Sequence, residues 1–145
     1  MAKWRKALAL PRAERALLIE AARHLLRAWL MLRLLPFKQI AAKIGGVSAT
    51  DRTTSPDIRK VRWAVETAAR HLPLSLTCLP QAFAASWMLT ARGGRPLLHY
   101  GVAKTETGFE SHAWVELDGK PVIGHRVANR FTLLATFPAC EGESQ

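Results

Sequence analysis

Asp118-Gly119 constrains the fold of this chain more than any other pair of residues. It separates His112-Ala113-Trp114-Val115-Glu116-Leu117 from Lys120-Pro121-Val122-Ile123. An Asp-Gly pair between two β-type runs is the signature of a two-residue hairpin, because both turn positions need a positive φ. Upstream, Leu97–Ala103 follows Pro96 and has strand length and β-type content. A turn containing Thr107-Gly108 leads from it to the His112 run. An antiparallel sheet is therefore expected in the C-terminal half.

The N-terminal half has the periodicity of helices. After Pro11, suited to a first helical turn, Leu18, Ala22, Leu25, Trp29 and Leu32 recur at spacings of three and four. Leu17, Leu26, Leu30 and Leu34 widen that stripe, which predicts burial on more than one side until Pro36 stops the helix. Phe37–Ile44 reads as a short helix closed by Gly45-Gly46, and residues 47–54 as a polar connector. Ser55-Pro56-Asp57 is a helix-start signal, with Ser55 as cap and Pro56 in the first turn. The helix it opens carries Ile58, Val61, Val65, Ala68 and Leu72 inward and Arg59, Lys60, Arg62 and Arg70 outward. A further helix starts at Thr77 and ends at Gly93-Gly94, with Ala82, Ala84 and Ala85 leaving one side slim for close packing. Helices first and an antiparallel sheet second define an α+β fold.

At 145 residues and 49% hydrophobic content the chain suits one domain, residues 1–145. Within it residues 1–72 form a basic helical part, 73–138 the core and 139–145 a tail. The net charge of +10 lies wholly in the first part, where 15 Lys and Arg face 5 Asp and Glu; the remaining residues hold 6 against 6. Such a surface attracts anionic partners without specifying any chemistry. Residues 7–11 are too few for a secretory core, and the apolar run 28–32 between Arg27 and Arg33 falls short of the roughly 20 residues that span a bilayer. A cytoplasmic location is expected, with Cys78 and Cys140 reduced.

Two stretches carry chemistry. Thr77-Cys78-Leu79-Pro80-Gln81-Ala82 puts a thiol at a helix start, where a Thr77 cap would leave it among the first-turn N–H groups that favour thiolate and bind an oxyanion. Ser111-His112-Ala113-Trp114-Val115-Glu116 puts an imidazole on a strand whose alternation sends His112, Trp114 and Glu116 to one face and Ala113, Val115 and Leu117 to the core. Taken singly, Cys78 also fits a small buried apolar residue and His112 a hydrogen-bonded structural histidine. Their order, with a strand between them, favours a nucleophile and its base. Gln81 and Trp114 are candidates to line the site. No cysteine or histidine pair has the close spacing of a structural zinc site, so no metal is expected, and no phosphate loop is present.

Cys-Leu-Pro-Gln-Ala at 78–82, the Gly-Gly stop, Leu-His-Tyr-Gly-Val at 98–102 and Ser-His-Ala-Trp-Val-Glu-Leu-Asp-Gly at 111–119 resemble the transglutaminase-like cysteine peptidases of lasso-peptide biosynthesis, the B-type leader peptidases. Pro-Arg-Ala-Glu-Arg-Ala-Leu-Leu at 11–18 and Leu-Pro-Phe-Lys-Gln-Ile at 35–40 extend the resemblance over most of the chain. It implies a transglutaminase-like or papain-like core in which the catalytic cysteine at a helix N-terminus packs on a small antiparallel sheet. It also implies removal of the leader from a ribosomally made precursor peptide, without a cofactor, by Cys78 and His112. The partners implied are the precursor, a separate leader-recognition protein and the lasso cyclase, with no nucleic acid and no membrane. Arg59, Lys60 and Arg62 are the candidate docking surface for the recognition protein.

The sequence departs from that family at the residue that orients the histidine. An acidic residue is expected about twelve or thirteen positions past it, where Gly124 and His125 stand. A two-residue loop at Asp118-Gly119 pairs Leu117 with Lys120 and so sets His112 opposite His125, the first candidate. Asn129 is the second and Asp118 the third, although at about 3.3 Å per residue Asp118 lies some 20 Å along the strand. Two other readings stay open: acyl transfer to an amine through the same thioester, and a non-catalytic basic module that binds an acidic peptide or nucleic acid.

Overall fold

The computed structural model describes residues 9–35, 39 and 57–137. Its order is α1 (Arg12–Leu34), α2 (Ile58–His71), α3 (Cys78–Ala91), β1 (Leu97–Thr105), β2 (Gly108–Leu117), β3 (Lys120–Ile123), a 3-10 helix (His125–Arg130) and β4 (Thr132–Phe137). Helices followed by a four-stranded antiparallel sheet make the α+β arrangement that the hydrophobic pattern indicates. The expected helix over 37–44, the connector at 47–54, Ser55, Pro56 and the tail beyond 137 lie outside the described residues, Gln39 apart. Among the described residues no helix is long and apolar enough to cross a membrane.

Helix α3 is the axis of the core. Every residue from Ala82 to Leu89 is buried, the small Ala82, Ala84 and Ala85 included, and this stretch is enclosed between α1, α2 and the sheet. Phe83, Met88 and Leu89 meet Leu25 of α1, Val61 and Val65 of α2, and Ala113, Val115 and Leu117 of β2 in one apolar cluster. The alternation of β2 thus sends the expected set inward. Helix α1 is buried on one side only, through Ala21, Leu25 and Ala28, whereas Leu26, Leu30 and Leu34 are about half exposed or more. The wider burial expected for that helix is therefore corrected: α2 and α3 cover a single stripe of it. Glu20 of α1 takes a forked pair of bonds from Arg92, just past α3, at 2.8 and 2.6 Å.

Asp57, not Ser55, caps α2, its Oδ1 accepting from the N–H groups of Arg59 at 3.1 Å and Lys60 at 3.3 Å. Ile58 is then the first helical residue. The Asp118-Gly119 turn forms as read, with φ of 52° and 76°.

The hairpin register corrects the simple count. Leu117 pairs with Lys120 and Glu116 with Pro121, but Val115 pairs with Ile123, so Val122 is an extra residue on β3. The strand then ends at Gly124, whose φ of 81° turns the chain into the 3-10 helix. His125 therefore never lies opposite His112. The carbonyls at this irregularity are held from outside the sheet: Arg62 of α2 donates through Nε to the Val122 oxygen and through Nη2 to that of Pro121 at 3.0 Å.

Strand β4, unassigned in the sequence, does not extend the hairpin. The 3-10 helix carries the chain across to the other edge, giving the order β3-β2-β1-β4. That crossing covers the outer face of β2 and buries Trp114, which lies against Gly101 of β1. A Cβ at position 101 would stand 3.1 Å from the Trp114 ring and 2.8 Å from the Thr132 carbonyl oxygen.

Candidate active site

Cys78 is the first residue of α3 and a half-buried free thiol. Thr77 occupies the cap position with extended backbone, but its side chain makes no capping hydrogen bond, contrary to the expected cap. Four N–H groups at a helix start lack intrahelical partners. Here Pro80 contributes none, and the Gln81 N–H reaches the Thr77 carbonyl at 3.5 Å. Cys78 and Leu79 are thus the first-turn donors that no side chain caps, at the positive end of the helix dipole. Gln81 secures this end from beside it: its Nε2 donates to the Leu76 carbonyl at 2.9 Å, tying the incoming loop to the first turn.

Cys78, Gln81 and His112 line one open cleft of about 680 Å³. The facing wall is built by β3 and the chain after it, from Pro121 and Ile123 through Gly124, His125 and Arg126. The remaining wall is one face of α2, on which Arg62, Glu66 and Arg70 follow at four-residue intervals.

His112 is half-buried and held on three sides. Phe131 stacks on its ring at 5.0 Å between centroids and Trp114 at 6.1 Å. Its Nε2 lies 2.7 Å from the Gly124 carbonyl oxygen. A carbonyl only accepts, so Nε2 carries the proton of this bond and Nδ1 is the ring atom left to exchange one with a neighbour.

The candidates for the orienting position fall as follows. His125 lines the cleft, but its Nε2 lies 3.5 Å from Glu116, which also sits 3.4 Å from Nε2 of His99. The His99 Nδ1 in turn meets the Thr136 hydroxyl at 2.8 Å. Glu116 of β2 thus stands between His99 of β1 and His125 of the 3-10 helix, within 3.5 Å of a ring nitrogen of each. Asn129 and Asp118 are exposed and line no part of the cleft. Trp114 is not a wall of the cleft either; it is 8% exposed and supports the His112 ring from within.

Gly124 and Phe131 are the site residues that pattern reading missed. Position 124 stood where a carboxylate was sought, and its backbone oxygen meets the imidazole in place of a side chain. Glycine fits because a Cβ there would come within 2.7 Å of the Ala113 carbonyl oxygen and 3.1 Å of Trp114, besides the positive φ. Of the expected docking residues, Arg59 and Lys60 are exposed, while Arg62 is committed to the carbonyls of β3 and belongs to the architecture of the cleft.

A thiol at an uncapped helix end, an imidazole fixed by its distal nitrogen and a shared cleft are the parts needed for nucleophilic attack on a carbonyl. Against known proteins, a family model described as the transglutaminase-like superfamily matches residues 21–136. Comparison with curated proteins and with solved structures finds no match.

Proposed function

Since the chain belongs to the transglutaminase-like superfamily, commonly cysteine-dependent enzymes that include proteases and acyl transferases, we propose that it is a cysteine endopeptidase that frees the core of a lasso precursor peptide from its leader. The observation that supports the catalytic part is that Cys78 and His112 line the same cleft. The leader-peptidase assignment rests on the sequence resemblance around 78–82 and 111–119.

The Cys78 sulfur attacks the carbonyl carbon of the cleaved bond, and the oxyanion that forms is met by the N–H groups of Cys78 and Leu79. The His112 imidazolium gives its Nδ1 proton to the leaving amine, which departs as the new N-terminus of the core. Water then attacks the thioester; Nδ1 takes a proton from it, and the leader leaves with a free carboxylate as the thiol is restored. Throughout, the Gly124 carbonyl keeps Nε2 protonated and the ring in plane. Arg59 and Lys60 offer an exposed basic surface for a separate leader-recognition protein. Charge reversal at both positions is expected to weaken that complex at low salt, measured by calorimetry, and unchanged affinity would remove the assignment.

The test of the reading is mass spectrometry of a lasso precursor peptide incubated with the chain and a separate leader-recognition protein. Wild type is expected to yield a core with a free amine, and Cys78→Ala none. An added amine on the leader's new C-terminus would mean acyl transfer; cleavage by Cys78→Ala would end the proposal.

A further inference from the structure

We propose that the cleft beside Cys78 holds a subsite for a carboxylate, so that the polypeptide cut here bears an Asp or Glu side chain close to the cleaved bond. The inference rests on the reading of Cys78 and His112 as nucleophile and base, and it names the substrate class for that site.

Three arginines and one glutamate line the cleft: Arg62, Arg70, Arg126 and Glu66. Arg62 is already committed to the oxygens of Pro121 and Val122. Arg126 makes no hydrogen bond or ion pair among the described residues, and Arg70 makes only a 3.4 Å bond to the Thr67 hydroxyl. Glu66 is the cleft's own carboxylate candidate to neutralise them, yet among the described residues it forms no ion pair within 4.0 Å. Two exposed guanidinium groups without a carboxylate partner among the described residues thus line the cleft, and their summed charge attracts an anionic ligand.

Their placement ties them to the reacting atoms. Arg126 is two residues past the carbonyl that holds His112, on the wall facing the thiol. Arg70 stands on α2, two turns beyond the arginine that fastens that wall. Both side chains are exposed and come from two separate elements, so a ligand entering the open cleft from solvent can meet both. A planar guanidinium offers paired donors that match a carboxylate, and two such groups on different elements define a place for one.

The experiment compares iodoacetate with iodoacetamide on the Cys140→Ser chain. With either reagent the Cys78 thiolate displaces iodide and forms a sulfur–carbon bond; the reagents differ in the charge they bring. Each rate is divided by that of free cysteine with the same reagent. The iodoacetate to iodoacetamide ratio is expected to exceed one by about threefold or more at low ionic strength and to fall as salt is added. Arg70→Gln with Arg126→Gln is expected to return it toward one. A ratio at or below one, or one that the double substitution leaves untouched, overturns the subsite. Failure of both reagents to label Cys78 faster than free cysteine overturns the nucleophile reading instead, and the inference with it. As a second measurement, acetyl-Ala-Ala-Glu-Ala-Ala-amide and its Gln counterpart are titrated as protectants against iodoacetamide, alongside inorganic phosphate. Protection by the Glu peptide at a several-fold lower concentration supports a carboxylate subsite; equal protection by the two peptides, or stronger protection by phosphate, overturns it.

Discussion

Gly124→Ala tests how the imidazole is held. Two costs follow from the geometry. The φ of 81° is strained for any residue with a Cβ, by about 1–2 kcal/mol. The added methyl would also stand 2.7 Å from the Ala113 carbonyl oxygen, a contact with backbone that relieves itself only by moving one chain away from the other. Overpacking of that kind costs about 1–3 kcal/mol, so a loss of about 2–5 kcal/mol is expected, or about 6–15 °C in the unfolding midpoint of a chain this size. Any shift that relieves the overlap carries the Gly124 oxygen away from His112 Nε2. Because displacement of a reacting group by about 1 Å can cost a hundredfold, turnover should fall by about that factor, measured well below the lowered midpoint. Gly119→Ala is the internal comparison. Its φ of 76° carries the same conformational penalty, but nothing lies within 4 Å of the added methyl. It should lose only that penalty of about 1–2 kcal/mol and keep its turnover. Matching unfolding curves and matching rates for the two variants would refute the argument that position 124 is fixed by close approach.

Arg62→Gln should strand the Pro121 and Val122 carbonyls, lowering stability by about 1–3 kcal/mol in chemical denaturation and slowing turnover through displacement of the wall that carries Gly124. The hydrogen bonds from Arg92 hold the Glu20 carboxyl below its ordinary value of 4.5, against the opposing effect of partial burial. The pair therefore adds stability that is present above pH 4.5 and is lost as pH falls through the lowered folded value. Glu20→Gln should accordingly destabilise the chain at neutral pH, and the gap from wild type should close in unfolding curves recorded below that value.

What the sequence disclosed and what it hid divide along the range of the forces involved. The Asp118-Gly119 turn, the start of α2 near Asp57 and the inward set of β2 depend on neighbours within a few residues, and all were legible. The cap stands two residues past Ser55 because the Asp57 carboxylate takes the Arg59 and Lys60 N–H groups. The hairpin register was not legible. Counting from the turn assumes an uninterrupted ladder, whereas Val122 adds a residue whose carbonyl bonds to Arg62, sixty positions earlier. That one-residue slip moved His125 away from His112 and put a backbone oxygen where a side chain was sought. Strand β4 carries little sequence signal because Thr132-Leu133-Leu134-Ala135-Thr136-Phe137 lacks clean alternation and leaves Leu133 and Leu134 outside. The outer stripe of α1 misled for the converse reason: leucines at helical spacing promise burial only if a neighbour covers them.

The central claim is that Cys78 and His112 act as one unit, and the most direct measurement is the rate at which iodoacetamide labels Cys78 at pH 7 in wild type and in His112→Ala. Peptide mapping identifies the labelled thiol, and unfolding curves establish that both proteins are folded. The account predicts that wild-type Cys78 reacts at least about tenfold faster than free cysteine and that the substitution removes most of that advantage. A folded His112→Ala chain that labels as fast as wild type would contradict it.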